Sequence, residues 1–161
     1  MTRLRAELER EGFRDVATYL QSGNVVLSSR ASADTVGDRV ERMIEKEFEL
    51  DITVLVRSGT ELREVVRRNP LAGMATNPGR YLVTFLSEEL APATVDKLRP
   101  LAEAEPFAVI GREVYSWHPN GIARSRLWER LASRSIGVKA TTRNWSVVQA
   151  LLVMAHPSAD R

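Results

Sequence analysis

The sequence contains no cysteine, which excludes disulfide bonds, thiolate catalysis and zinc sites built on cysteine. Histidine is almost as scarce: His118 and His156 are the only two, too few for a site with several histidine ligands. The composition therefore predicts neither a metal nor any other cofactor.

Long apolar runs are also missing. No stretch approaches the roughly 18 residues that cross a bilayer, and the charged opening MTRLRAELERE lacks the apolar centre of a signal peptide. We therefore expect a cytoplasmic protein that has no membrane partner. Of the 161 residues, 43% are hydrophobic and 27% are charged, which is sufficient for one compact domain or two small ones.

Lysine is the third scarce residue, because only three of the 23 basic residues are lysine. Arginine keeps its charge and offers a planar fork to carboxylates and phosphates. Such a bias also follows from genome base composition, which is the commoner explanation. The charge is unevenly distributed: the whole chain carries +2, whereas seven basic and two acidic residues give residues 107–145 a charge of +5.

Hydrophobic periodicity places helices and strands along the first half of the chain. A helix over 3–11 ends at a glycine, and two strands flank the triplet Gln21-Ser22-Gly23, as in a hairpin. The predicted elements are the helix 3–11, strands 16–20 and 24–28, a helix capped by Ser32, a buried strand 52–57, and a helix opened by the capping box of Ser58 and Glu61.

The second half gives a longer series after a proline- and glycine-rich segment at 70–79. The predicted elements are strand 80–86, helix 92–103, strands 107–111 and 113–117, a turn at 118–121, helix 124–136, an extended piece 139–142, and a last helix from Trp145 that is apolar nearly all round and is expected to be buried.

This order is β-α-β-β-α-β, the pattern of ferredoxin-like folds, and the first half repeats it without the opening strand. We therefore predict an α/β (α+β) fold of two tandem ferredoxin-like units, over 1–69 and 80–161, joined by a linker at 70–79. The opening strand is central in that fold, so its absence should leave a gap in the first sheet.

Several blocks are similar to a known family. They are GFRDVATYLQSGNVVLSS, LVRSGTEL, RNP, YLVTFLSE, FAVIGREVYSWHPNGIARSRL and GVKATTRNWSVV. Together they resemble the bacterial domain-of-unknown-function 1697 family over nearly the whole chain. The resemblance implies a pair of ferredoxin-like α/β units and no established activity. Family members usually open with a further strand, a glycine-rich loop and then a methionine that Met1 resembles, so we expect an upstream start or a truncated paralogue.

The hairpin triplet Ser22, Gly23 and Asn24 has two interpretations. Gly23 suits a turn with positive φ, and the flanking side chains can bond local backbone groups. Alternatively, the turn amides and the two side chains form a small pocket for an anion or a sugar hydroxyl. The corner alone explains these residue types, whereas the resemblance, which includes this block, makes the pocket an equal alternative.

A second candidate block is Thr142-Arg143-Asn144. Asn144 is a plausible N-cap of the last helix. Arg143 would then lie beside the positive end of that helix, where a cation is disfavoured unless an anion joins it. Either a bound anion or an internal carboxylate could supply the negative charge.

The remaining candidates lie in turns and on one helix face. They are Arg112 at a hairpin, Asn120 in a turn, Arg124 at a helix start, and a stripe formed by Arg126, Arg130 and Arg134 at spacings of four residues. His118 has no partner carboxylate at informative spacing, and Ser22, Ser125 and Thr142 lack a neighbouring base. No catalytic residue is therefore predicted.

The leading hypothesis is a non-catalytic α/β module that binds an anionic ligand, a nucleotide or a nucleic-acid phosphate. The predicted ligand-binding residues are Ser22, Gly23, Asn24, Arg112, Asn120, Arg124, Thr142, Arg143 and Asn144. Two alternatives stay open: an enzyme acting on a small phosphorylated or carboxylated metabolite, and a protein-interaction module that uses an open sheet edge.

Overall fold

A computed structural model of the chain describes residues 1–21 and 23–156, and over these residues it shows a mixed α/β fold with two antiparallel sheets and six α-helices. The elements are α1 (Thr2–Arg10), β1 (Arg14–Tyr19), β2 (Asn24–Ser28), α2 (Ala33–Phe48), α3 (Gly59–Arg68), β3 (Tyr81–Leu86), α4 (Pro92–Ala102), β4 (Phe107–Ile110), β5 (Glu113–Trp117), α5 (Arg126–Ala132), β6 (Ala140–Asn144) and α6 (Trp145–Ala155), with a 3₁₀ turn at Arg134–Ile136. The predicted α/β class is confirmed.

The chain divides into two compact units. The first comprises Met1–Arg63 together with the chain from Ala150 onward, and the second comprises Glu64–Gln149. The segment 70–79, which the sequence suggests as a linker, lies within the second of these units. The boundaries expected from the sequence differ from this division and stay a prediction.

The first unit packs α1 and α2 around the hairpin of β1 and β2. Its core holds buried apolar side chains, which are Leu8, Phe13, Val16, Val36, Val40, Met43 and Ile44, and the partly buried Val25 and Leu27 of β2 pack against them. Local signals act as predicted, because Gly12 adopts φ +89° just after α1 and the Ser32 hydroxyl accepts a hydrogen bond from the Thr35 amide at the start of α2. Glycine suits that left-handed conformation because it has no Cβ.

The predicted buried strand at 52–57 is wrong. Residues 52–57 form no strand, and the first unit holds only the two-stranded sheet of β1 and β2 among its described residues. Val54 and Val56 still pack against the core of α2, and the Val54 amide donates to Glu41 Oε1 at 2.8 Å. A strand requires a neighbour to pair with. The described residues offer no neighbouring strand here, so the Val54 amide bonds to the Glu41 side chain instead of to another strand.

The second unit contains a four-stranded antiparallel sheet in the order β4-β5-β3-β6. The interior strand β3 pairs with β5 and β6, and all six of its residues are buried. Helices α4 and α5 cover one face, where Leu86, Leu98, Val114, Leu127 and Leu131 form the core. The assignment of two tandem ferredoxin-like units stays a prediction.

Aromatic residues occupy the other face of this sheet. The rings of Tyr81 and Trp145 stack with their centroids 4.7 Å apart, and Tyr115 lies nearby with its ring centroid 6.5 Å from that of Tyr81. The buried Tyr115 hydroxyl donates to the Val65 carbonyl at 2.8 Å. Val65 is in the last turn of α3, where carbonyls have no partner within the helix. The tyrosine therefore fixes the end of α3 against the sheet.

Two helix predictions need correction. The helix expected over 124–136 is shorter, because α5 ends at Ala132 and the Ser133 hydroxyl then accepts from the Ser135 amide to start a 3₁₀ turn. Serine competes in this way for backbone donors and favours helix ends. The last helix is buried only in its first half: Val153 is 70% exposed, because it lies on a side that no described residue covers.

Candidate functional site

The hairpin corner uses its polar groups internally. Asn24 is buried, and its Nδ2 donates to the Tyr19 carbonyl at 3.2 Å across the turn. Leu20 and Gly23 both have positive φ, so the chain reverses between these two residues. Ser22 lies outside the described residues. The contacts of Asn24 therefore agree with the corner interpretation and do not assign it a ligand.

The Thr142-Arg143-Asn144 block is held by its own strand and helix. The Thr142 hydroxyl bonds that of Thr84 at 2.8 Å, and Asn144 Oδ1 accepts from the Val147 amide at 3.0 Å. The prediction that Asn144 caps the last helix is confirmed.

Arg143 lies two residues before α6, and the ligand expected beside it stays a prediction. It lies in β6 opposite Val83, and its Nη1 donates to Thr141 Oγ1 and to the Thr142 carbonyl, both at 2.8 Å. The side chain is half-buried, and this desolvation lowers its pKa from the usual arginine value. These two bonds tie the guanidinium to its own strand, because β6 extends to residue 144 rather than ending before it.

The candidates of the second unit do not form one cluster. The Arg112 carbonyl accepts from the Leu86 amide, whereas Asn144 pairs with Leu82 at the other end of β3. Four residues of strand separate these positions by about 13 Å. Asn120 lies at the Asn144 end, in the turn that follows β5.

A buried polar network that the sequence did not reveal lies behind that turn. His118 is fully buried, its Nδ1 contacts Glu105 Oε2, and its Nε2 lies 2.8 Å from the Ser116 hydroxyl. The other carboxylate oxygen, Glu105 Oε1, accepts from the Ser125 hydroxyl at 2.7 Å. The expectation that His118 lacks a partner carboxylate is wrong, because the partner is 13 residues earlier and is brought near only by the fold.

This network has the members of a serine–histidine–carboxylate relay, but its burial opposes catalysis. Ser116 and His118 are both 0% exposed, so a substrate cannot reach the serine oxygen that would act as nucleophile. The arrangement satisfies buried polar groups and fixes the backbone around them.

The arginine stripe is only partly formed. Arg126 and Arg130 lie on α5, but Arg134 belongs to the following 3₁₀ turn, because the helix ends before it. A cleft of about 310 Å³ opens beside these residues, lined by Leu101, Arg126, Glu129, Arg130, Ser133 and Ser135. Within it, Arg130 Nη1 donates to the Ser135 hydroxyl at 3.0 Å. The cleft thus brings together two arginines, two serines and one acid.

In the part of the chain that the structure describes, no helix is long and apolar enough to cross a membrane. Residues 1–21 and 23–156 also contain no group of three or more histidine, aspartate or glutamate side chains that could hold a metal ion.

Comparison with known proteins identifies the family. The profile of the family described as Protein of unknown function (DUF1697) matches residues 1–115, and the chain belongs to this family. A solved structure described as conserved bacterial protein SP0830 from Streptococcus pneumoniae matches with a TM-score of 0.67 at 18% sequence identity, covering 96% of this chain and 88% of that one. At this identity the likeness shows the fold alone. No curated protein matches the sequence.

Proposed function

We propose that the protein binds the phosphate groups of a nucleotide or a nucleic acid through its second unit. The binding surface consists of Arg124, Arg126, Arg130 and Arg134 and is called the arginine surface below. One observation carries the proposal: four arginines lie within residues 124–134, two of them line one cleft, and Arg124, Arg126 and Arg134 are exposed and make no side-chain hydrogen bond or ion pair with any described residue.

Most other exposed arginines of this chain do have partners. Arg10 pairs with Glu7 at 2.8 Å and Arg99 with Asp96 at 3.7 Å, each three residues away on a helix. Arg126 has Glu129 at the same spacing, yet no ion pair forms there within 4.0 Å. The guanidinium of Arg126 therefore stays available to a ligand, although Glu129 is at the spacing of an internal acceptor.

Exposed guanidinium groups that have no side-chain partner among the described residues are well suited to binding phosphate. Each offers a planar fork that binds two phosphate oxygens at once, and its charge does not titrate in the physiological range. Ser135 lines a cleft with Arg126 and Arg130, and its hydroxyl, which accepts from Ser133 Oγ and Arg130 Nη1, can donate its own proton to an oxygen. Glu129 also lines it and repels a phosphate, so the ligand is expected on the arginine side. No accessible nucleophile and base are paired here, so the proposal is binding without catalysis.

The salt dependence of oligonucleotide binding tests this proposal. We expect the double variant Arg124→Gln/Arg126→Gln to weaken binding of a fluorescent single-stranded oligonucleotide. We also expect it to reduce the slope of log K against log salt by about 1.4, or about 0.7 for each lost phosphate contact. Fluorescence anisotropy at several salt concentrations gives both quantities.

A matched control separates a defined surface from overall charge. Arg14 and Arg30 are also exposed, lack side-chain partners among the described residues, and lie in the first unit. Arg14→Gln/Arg30→Gln removes the same two charges and should leave the slope unchanged. Equal losses in both variants, or no loss in either, would contradict the proposal. Competition by a mononucleotide distinguishes a nucleotide site from a nucleic-acid site.

One structural observation favours a second candidate, an interaction module. Within residues 1–21 and 23–156 the first sheet has two strands, and residues 52–57 pair with neither of them. Such edges can accept a strand from a partner chain, and a second copy of this protein is the partner to test first. Sedimentation over a wide range of protein concentration should then show reversible dimers. A monomer at every concentration would exclude self-association through this edge.

A further inference from the structure

One carboxylate bonds both ends of the loop that carries part of the arginine surface. The loop runs from His118 to Ser125 and contains Asn120 and Arg124. At its start Glu105 Oε2 contacts His118 Nδ1, and at its end Glu105 Oε1 accepts from the Ser125 hydroxyl at 2.7 Å. The two oxygens of Glu105 therefore hold the loop closed.

The anchoring residues are themselves fixed. His118 is fully buried, and its amide donates to the Arg80 carbonyl at 3.0 Å. Ser125 is 7% exposed, and its hydroxyl oxygen also accepts from the Trp128 amide at 2.9 Å as the cap of α5. Neither residue can move without breaking several hydrogen bonds, so the loop between them has a defined path.

Arg124 and Arg126 are the immediate neighbours of Ser125 in the chain. Their Cα positions therefore depend on the Ser125 contact, although neither side chain bonds to Glu105. A phosphate ligand that binds several arginines benefits when their backbone is fixed before binding, because less conformational freedom is lost on association.

From these contacts, and resting on the proposed function, we infer that Glu105 is a positioning residue for phosphate binding. It holds Arg124 and Arg126 at a fixed spacing through Ser125 and His118. A positioning role for Glu105 predicts weaker binding in its amide variant, whereas simple electrostatics predicts tighter binding. Replacing any acid by its amide raises the net charge by one and should tighten binding of a polyanion, whereas loss of positioning should weaken it.

The test compares Glu105→Gln with Glu89→Gln in the oligonucleotide assay. Glu89 is exposed, has no partner among the described residues, and lies in the same unit, so its variant has the same change in charge. We expect Glu89→Gln to bind equally well or slightly more tightly. Glu105→Gln should bind about five-fold more weakly or worse, since freeing the backbone that carries both arginines adds an ordering cost on binding.

The outcomes distinguish failure of the positioning role of Glu105 from failure of the proposed binding surface. If the Arg124→Gln/Arg126→Gln variant loses binding but Glu105→Gln tightens it as Glu89→Gln does, the positioning role is refuted and the binding surface is retained. If the double arginine variant loses nothing, the proposed function itself fails. Should Glu105→Gln not fold, Ser125→Ala removes the far anchor at constant charge, together with the cap of α5. An unchanged affinity in that folded variant would equally refute the positioning role.

Discussion

The hydroxyl of Tyr115 offers the sharpest test of the packing in the second unit. It is fully buried and donates to the Val65 carbonyl at 2.8 Å. Tyr115→Phe removes the hydroxyl with little change in shape and leaves a buried carbonyl unpaired. An unsatisfied buried acceptor costs about 1–3 kcal/mol, so we expect the free energy of unfolding to fall by about that amount. The melting temperature should fall by about 2–4 °C for each kcal/mol lost.

Tyr81 supplies a matched control. It is on the same sheet face and is 1% exposed, but its hydroxyl accepts from the Leu71 amide at 3.4 Å, beyond the usual range of an N–H···O bond. Tyr81→Phe makes the same chemical change and should cost at most about 0.5 kcal/mol.

Urea unfolding at 25 °C, followed by circular dichroism, gives both free energies. The slope against urea concentration should be the same in both variants, because the surface exposed on unfolding does not change. If Tyr115→Phe proves no more destabilising than Tyr81→Phe, the hydroxyl does not fix the end of α3, and the reasoning from the buried hydrogen bond is refuted.

Three further predictions follow from other contacts. Burial raises the pKa of both Tyr81 and Tyr115. The stability they contribute is therefore complete below about pH 10, where an unfolded tyrosine begins to ionise, and is lost as the pH rises further. Unfolding free energies measured up to about pH 11 should fall less steeply with pH in Tyr115→Phe. Asn144→Ala should lower the free energy of unfolding, measured by calorimetry, by about 1 kcal/mol because it removes the cap of α6. Oligonucleotide affinity should not change, and a large loss of affinity would instead assign Asn144 a ligand. Gly59→Ala should destabilise by about 1 kcal/mol, at the low end of overpacking costs, because its Cβ would lie 2.6 Å from His156 Nε2 and the imidazole must move aside. This cost should disappear in a His156→Ala background, and a cost that persists there would exclude the clash as its cause.

Much of the local structure could be predicted because its signals are short-range. The Ser58 amide donates to Glu61 Oε2 at 2.7 Å and the Glu61 amide to the Ser58 hydroxyl at 3.1 Å, as the capping box of two residues three apart requires. The hairpins and the cap at Asn144 follow in the same way from residue types and spacing. These contacts form within one turn of chain, so the identity of the local residues is sufficient.

The errors concern contacts that depend on distant partners. A run such as 52–57 is typical of a strand, but a strand exists only where a neighbour supplies the ladder. The expectation for His118 failed in the same way, because its carboxylate partner, Glu105, is 13 residues earlier in the chain. In each case the residue type was interpreted correctly and its surroundings were not.

The sequence by itself determined the α/β class, the positions of most helices and strands, and the family to which the chain belongs. The tertiary structure decided which polar groups meet. Glu105, His118 and Ser125 are separated along the chain, and only the sheet of the second unit brings them within hydrogen-bonding distance. The reason is physical: propensity and capping act over a few residues, whereas the pairing of buried polar groups depends on strand register and helix packing, which involve the whole unit at once.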